Sequence, residues 1–181
     1  MVFEEKALER ETLYQGVVFD ITRDRVKLPN GGEGIREVVR HKGAVCVIPL
    51  TADGCVLVEK QFRHGYGGVT LEIPAGKLEL GEDPAKAALR ELQEETGATP
   101  GRLLPLGVFY GSPAILDEKI YMYLATDLAM GERHLDPDEF LEVERIPLAT
   151  LVEQVLAGEI PDGKTQAAVL RAHLMLEKGL I

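Results

Sequence analysis

Residues 76–98 read Gly-Lys-Leu-Glu-Leu-Gly-Glu-Asp-Pro-Ala-Lys-Ala-Ala-Leu-Arg-Glu-Leu-Gln-Glu-Glu-Thr-Gly-Ala, a glycine-bounded loop that runs into one helix with fixed ends. Asp83 is placed to cap the helix, Pro84 suits its first position, and Gly97 supplies a left-handed stop. The helix therefore lasts about three and a half turns. Its far end is crowded with Glu91, Glu94 and Glu95, which face the negative pole of the helix dipole, and Glu91 repels Glu95 one turn on. Arg90 can answer Glu94, but one cation does not neutralise three carboxylates. Divalent cations would do so, since Mg²⁺ takes carboxylate oxygens and is often shared with substrate phosphates. The plain alternative is a solvated acidic face; as a cation ligand, Glu95 is expected at an exposed site.

The spacing narrows the choice. Gly76 is followed by Glu82, then by Arg90-Glu91-Leu92, Glu94-Glu95 and Gly97. This arrangement closely resembles the box of the Nudix hydrolases, which cleave nucleoside diphosphates linked to a second moiety. Ala98 stands where the family usually has a larger aliphatic residue, a difference that bears on packing behind the loop rather than on chemistry.

At 181 residues, with 45% hydrophobic and 28% charged, the chain suits a globular domain with a small extension. Its net charge of −10 argues against a nucleic-acid partner, because phosphate backbones are gripped by basic patches. An anionic substrate would then need metal ions or a few local arginines. No apolar run approaches the roughly 20 residues that span a bilayer, and the N-terminus lacks a signal-peptide core. The expectation is a cytoplasmic protein without a membrane partner. Cys46 and Cys55 are read as small buried hydrophobes on neighbouring strands, not as a disulfide or metal pair.

Residues 13–39 read as a strand meander with a turn at Pro29-Asn30-Gly31-Gly32, and an exposed meander of this kind calls for a covering partner. Residues 44–50 form an apolar run expected of a strand buried on both faces. The turn 51–54 leads to a second strand ending at Gln61-Phe62-Arg63, so the two read as a hairpin. Glycine-rich 65–68 is a loop, and 70–74 is a short strand. Beyond the helix, 103–110 and 119–125 read as strands, 131–140 as an acidic loop carrying Asp136, Asp138 and Glu139, and 148–157 and 164–178 as helices. Ala167, Ala168, Leu170, Leu174 and Leu180 offer the last helix an apolar side. The fold class is α+β: a mixed sheet between helices, as the Nudix resemblance also implies. Residues 1–41 form an N-terminal β meander and 42–181 the hydrolase domain.

Features outside the box resemble the ADP-ribose pyrophosphatase subgroup. Pro113 lies sixteen residues beyond Gly97 and is followed by Asp117-Glu118-Lys119, while Glu72-Ile73-Pro74-Ala75 precedes the box. Diadenosine polyphosphate hydrolases typically place a tyrosine near the positions that Ile115 and Leu116 hold here, and many ADP-ribose enzymes have a glycine and an aromatic residue at 114–116. The resemblance implies Mg²⁺, with Mn²⁺ as substitute, held by Glu91, Glu94, Glu95 and the carbonyl of Ala75. It implies catalytic parts for Glu95, Glu91 and Arg90, the last orienting a glutamate with support from Glu82. Glu139 is the first candidate for general base and Glu118 the next. Arg63, Pro113 and Glu118 are candidates to hold substrate, and Phe19 or Tyr14 to stack on adenine, from the same chain or a second subunit of a homodimer. The expected reaction is conversion of ADP-ribose to AMP and ribose 5-phosphate. The alternatives are another nucleotide sugar, an oxidised nucleoside triphosphate, or a metabolite-binding module without catalysis.

Overall fold

The computed structural model describes residues 3–181. In chain order the elements are β1 (Lys6–Gln15), β2 (Phe19–Lys27), β3 (Glu33–His41), β4 (Ala44–Pro49), β5 (Cys55–Arg63), β6 (Gly68–Glu72), β7 (Ala75–Lys77), α1 (Pro84–Thr96), β8 (Ala98–Phe109), β9 (Ile120–Met130), β10 (Leu141–Pro147), α2 (Leu148–Leu156) and α3 (Gly163–Glu177). The α+β class and the N-terminal meander are those read from sequence. The chain divides into two compact units: residues up to Gly43 with Tyr110–Lys119, and Ala44–Phe109 with Ile120–Ile181.

In the first unit β1, β2 and β3 form an antiparallel sheet in that order. All ten residues of β1 are exposed, which is why no alternation marked this strand and the meander begins earlier than expected. Asp24, buried on β2, accepts hydrogen bonds from Arg10 and Arg40 and ties the three strands together. The 110–119 segment belongs here because Val39 N–H donates to the Ile115 carbonyl and Asp117 N–H donates to the Val39 carbonyl.

In the second unit β4 is the central strand of a mixed sheet ordered β7-β4-β9-β8, antiparallel to β7 and parallel to β9. Its side chains divide by the two-residue period of a strand. Val45 and Val47 pack with Ala87, Ala88 and Leu92 of α1, while Cys46 and Ile48 pack with Leu151 of α2 and Ala168, Val169 and Ala172 of α3. The uninterrupted apolar run is thus the signature of a strand covered by helices on both sides.

Four expectations are corrected. β4 and β5 do not form a hairpin: the turn 51–54 closes with Gly54 N–H donating to the Thr51 carbonyl, but only the Leu50–Val56 bridge follows it. β5 departs into a second sheet ordered β10-β5-β6, where its partner is β10, a strand not anticipated because 141–147 lack a clean alternation. β8 and β9 extend well beyond 103–110 and 119–125, with a bulge between Pro105 and Gly107. In α3 the buried stripe is Thr165, Ala168, Val169 and Ala172, at i, i+3, i+4 and i+7. Leu174 lies off that stripe and Leu180 beyond the helix, and both are exposed. Both cysteines are free; Cys46 is buried, which pushes its thiol up to about 12, and Cys55 is half-buried.

Candidate active site

The ends of α1 form as its sequence dictates. Asp83 accepts from the N–H groups of Ala85 and Lys86, and Gly97 adopts the left-handed conformation with its N–H donating to the Gln93 carbonyl. The buried stripe runs Ala87, Ala88, Glu91, Leu92, Glu95, Thr96, so two of the three glutamates lie on the core side of the helix. This overturns the solvated-face alternative and the exposed position expected for Glu95, which is 3% exposed. Glu94, off the stripe, is partly exposed.

Two glycines of the box are explained by what touches them. A Cβ on Gly76 would overlap the Glu91 carboxylate, so only glycine lets β7 pass that close to the helix. Gly97, already at φ 74°, is approached by the Gly131 carbonyl, and Gly131 N–H donates to the Gly97 carbonyl. With His134 N–H donating to the Glu94 carbonyl, this fastens the start of the 131–140 loop to the acidic end of α1. Glu139 lies at the far end of that loop, its N–H donating to the Asp136 carbonyl.

Arg90 is hydrogen-bonded to three glutamates. It donates to Glu82 through Nε and Nη2, to Glu91 at 2.8 Å and to Glu94 at 3.0 Å. Glu95 is held from the other side, accepting from the Ala75 N–H at 3.0 Å. Ala75, Glu91, Glu94 and Glu95 are therefore neighbours. Among the described residues no three acidic, His or Cys side chains stand in a closed cation-binding geometry, because Arg90 draws Glu91 and Glu94 to itself.

On the strand side of the cluster, sequence reading gave a part to Arg63 but none to Glu59, Glu72 or Lys164. Along β5, Leu57 packs with Ala87, Ala88 and Leu92, so Glu59, Gln61 and Arg63, in phase with it, share the face turned toward α1. Glu59 is 3% exposed, and its Oε1 has no hydrogen-bond partner among the described residues. Glu72, opposite Glu59 on β6, accepts from Arg63 Nε at 2.7 Å and Nη2 at 2.8 Å, and from Lys164 and Thr70. Lys164, at the start of α3, also pairs with Asp162. Thr165 joins this network, its hydroxyl donating to Asp162 and accepting from the Ile73 N–H. The available signal was a charged residue in phase with Leu57 inside the run Val-Leu-Val-Glu, and a lysine beside a helix cap.

Electrostatics divide the face into two poles. Burial, and then repulsion from Glu59, Glu91 and Glu139, pushes the Glu95 carboxyl far above its ordinary range; burial, Glu139 and Glu72 do the same to Glu59. Burial also raises Glu91, against the opposing pull of Arg90. At the other pole burial works against the ionised form of Glu72, but Arg63 and then Lys164 outweigh it and hold the carboxyl down at about 2. The result is an under-neutralised carboxylate cluster beside an arginine already fixed in place by Glu72. Such a donor set, with an orphaned buried oxygen and acids reluctant to ionise, fits a hard divalent cation.

The remaining candidates belong to the first unit. Glu118 lies 3.2 Å from His41 Nδ1, Asp117 accepts from the His41 N–H, and Pro113 sits in the same segment. Tyr14 and Phe19 are exposed and pack on each other, ring centroids 6.0 Å apart and tilted by 46°.

Residues 40–169 match the NUDIX domain, and residues 5–39 match the nucleoside diphosphate sugar hydrolase N-terminal domain. The chain is 42% identical to an ADP-ribose pyrophosphatase of Bacillus subtilis, over 98% of this chain and 96% of the relative. It is 40% identical to a methanol dehydrogenase activator of Bacillus methanolicus, over 99% and 97%. A solved structure described as an ADP compounds hydrolase superposes with a TM-score of 0.84, covering 97% of this chain and 96% of the other at 22% identity, a likeness of fold.

Proposed function

The chain belongs to the Nudix hydrolases, and from that premise we propose that it hydrolyses the pyrophosphate bond of ADP-ribose, giving AMP and ribose 5-phosphate. The observation that carries this reading is the pairing of a buried carboxylate cluster with Arg63 on one face of the second unit. That is the complement of a diphosphate accompanied by a divalent cation. The name of the 42% identical relative supports the choice of substrate.

Glu91, Glu94, Glu95 and the Ala75 carbonyl would hold Mg²⁺, with Mn²⁺ as substitute. When bound, the cation would neutralise charge that builds on the phosphate oxygens. Arg63 meets the diphosphate: both of its bonds to Glu72 engage the Nε and Nη2 side, and Nη1 has no partner among the described residues. Water attacks one phosphorus, and the P–O bond to the bridging oxygen breaks with its electron pair going to the departing phosphate ester. Glu139 accepts the proton of the attacking water, carried there by a loop whose start is fixed to α1. Arg90 holds Glu91 and Glu94 together through one shared Nη1, offsetting the repulsion between the two carboxylates. Glu118 and Pro113 contribute to holding substrate, and Tyr14 or Phe19 to stacking on adenine.

Residues 1–41 serve as a dimerisation lobe and 42–181 as the hydrolase domain. Exposed Phe3, Leu8, Leu13 and Val17 on and beside the uncovered β1, with Ile35 on β3, support a homodimer. No helix among the described residues is long and apolar enough to cross a membrane, and we assign the activity to the cytoplasm. A second reading, hydrolysis of another nucleotide sugar, is favoured by the match of residues 5–39 to a nucleoside diphosphate sugar hydrolase domain.

A panel of ADP-ribose, other nucleotide sugars and oxidised nucleoside triphosphates, assayed with magnesium by chromatography of the products, separates these readings. AMP from ADP-ribose at the highest kcat/KM is expected; a tenfold or greater preference for another nucleotide sugar would select the second. Undiminished AMP release by Glu95→Gln would remove the metal role of Glu95. An unaltered pH–rate profile and kcat in Glu139→Gln would remove Glu139 as base.

A further inference from the structure

Position 59 lies where the apolar part of its face meets the charged part, with Glu72 opposite on β6. Leu57, two residues earlier, and Val143, opposite on β10, both pack with the cluster that contains Ala87, Ala88 and Leu92. A leucine at 59 would extend that packing, yet the chain carries a glutamate there. The Glu59 carboxylate is removed from water, and its Oε1 has no partner among the described residues. Its neighbours do not compensate. Glu139, Glu72 and Glu95 repel it, while Arg63 and Lys164, the nearest attracting charges, are already bonded to Glu72.

An uncompensated carboxylate in a strand interior is among the most expensive groups a fold can retain. Asp24, equally buried in the first unit, shows the ordinary solution, with two arginines bonded to it. Glu59 has no such solution within the protein. What would satisfy it is a small cation that takes hard oxygen ligands, reached from the same face that presents Glu95.

We infer that Glu59 is a further carboxylate of the cation site, contributed by β5 alongside the glutamates of α1. This rests on the reading that the α1 glutamates hold a divalent cation. Glu59 then has two opposed effects: it destabilises the cation-free protein and strengthens the hold on the cation. A carboxylate retained only for packing or solubility would have neither.

The test uses the full chain with Mn²⁺ as probe, its binding followed by electron paramagnetic resonance and calorimetry, with thermal melts before and after addition. Glu59→Gln, which keeps the shape and removes the ionisable group, should melt higher than wild type without metal. It should bind Mn²⁺ at least roughly tenfold more weakly, and gain correspondingly less in Tm when Mn²⁺ is added. Glu59→Leu should shift both quantities in the same directions, so a folding defect in one variant does not decide the matter. Binding of Mn²⁺ by Glu59→Gln within about twofold of wild type would overturn the inference. Glu95→Gln is measured alongside: weak binding there with unchanged binding in Glu59→Gln overturns this inference alone. Absence of Mn²⁺ binding by the wild type overturns both this and the metal reading of α1.

Discussion

Gly76→Ala isolates the geometry of the box from its chemistry, because it adds one methyl group and removes no functional group. Gly76 does not occupy the left-handed region, so alanine brings no backbone strain. The added Cβ would lie well inside 3.0 Å of all three atoms of the Glu91 carboxylate, whereas ordinary contact begins at 3.4 Å. The carboxylate must therefore retreat by about 1 Å or more, and misplacement on that scale costs about a hundredfold in rate. That is roughly 2.7 kcal/mol of transition-state stabilisation. The cost to the fold should be small, about 1 kcal/mol, since the obstructed atoms are the end of a flexible side chain. The assay is kcat/KM for AMP release from ADP-ribose at saturating magnesium, with a thermal melt on the same sample. If displacement of Glu91 is the cause, Glu91→Asp, which withdraws the carboxylate by one methylene, should cost less in the Gly76→Ala background than in wild type. Activity of Gly76→Ala within about threefold of wild type, or equal effects of Glu91→Asp in both backgrounds, would refute this reasoning.

Lys164→Met should raise KM for ADP-ribose about tenfold and leave kcat much less affected. Glu72 would then draw on Arg63 alone and cancel the charge that Arg63 offers to a diphosphate. Recovery in Lys164→Arg, and absence of a further KM effect in an Arg63→Ala background, distinguish this from loss of packing. The Glu72 carboxyl, held at about 2 against an ordinary value of 4.5, binds fewer protons folded than unfolded, so its contribution is fully present above pH 4.5 and is lost as pH falls toward 2. Urea unfolding at a series of pH values should show wild type losing up to roughly 3 kcal/mol across that window relative to Glu72→Gln. Parallel curves for the two proteins would show that the ion pairs of Glu72 contribute nothing to acid stability. In Gly97→Ala, strain at φ 74° and collision with the Gly131 carbonyl should lower Tm and loosen the 131–140 loop, seen as faster amide exchange at Gly131 and His134.

What could be read in the sequence was local, and what escaped was set by distant partners. The cap at Asp83, the stop at Gly97 and the reach of Arg90 to Glu94 act within a few residues, and all formed as expected. The turn 51–54 formed too, but whether two strands joined by a turn share a sheet depends on who else pairs with them. Here Cys55 stands opposite Pro147, ninety-two positions away, and the expected hairpin gives way to a strand that leaves for another sheet. The same pairing decides the character of the acidic cluster. Seen along α1, Glu91 and Glu95 invite the reading of a wet helix face; only when Leu57 docks on Ala87, Ala88 and Leu92 does the face become buried, bringing Glu59 with it. The helix carries the part of the site shared with every chain that has the box. On the reading proposed here, the strand adds Glu59, Arg63 and, through β6, Glu72. These residues govern how tightly the charge is balanced, so differences in cation affinity among chains with the same box should follow position 59 more closely than any position on α1.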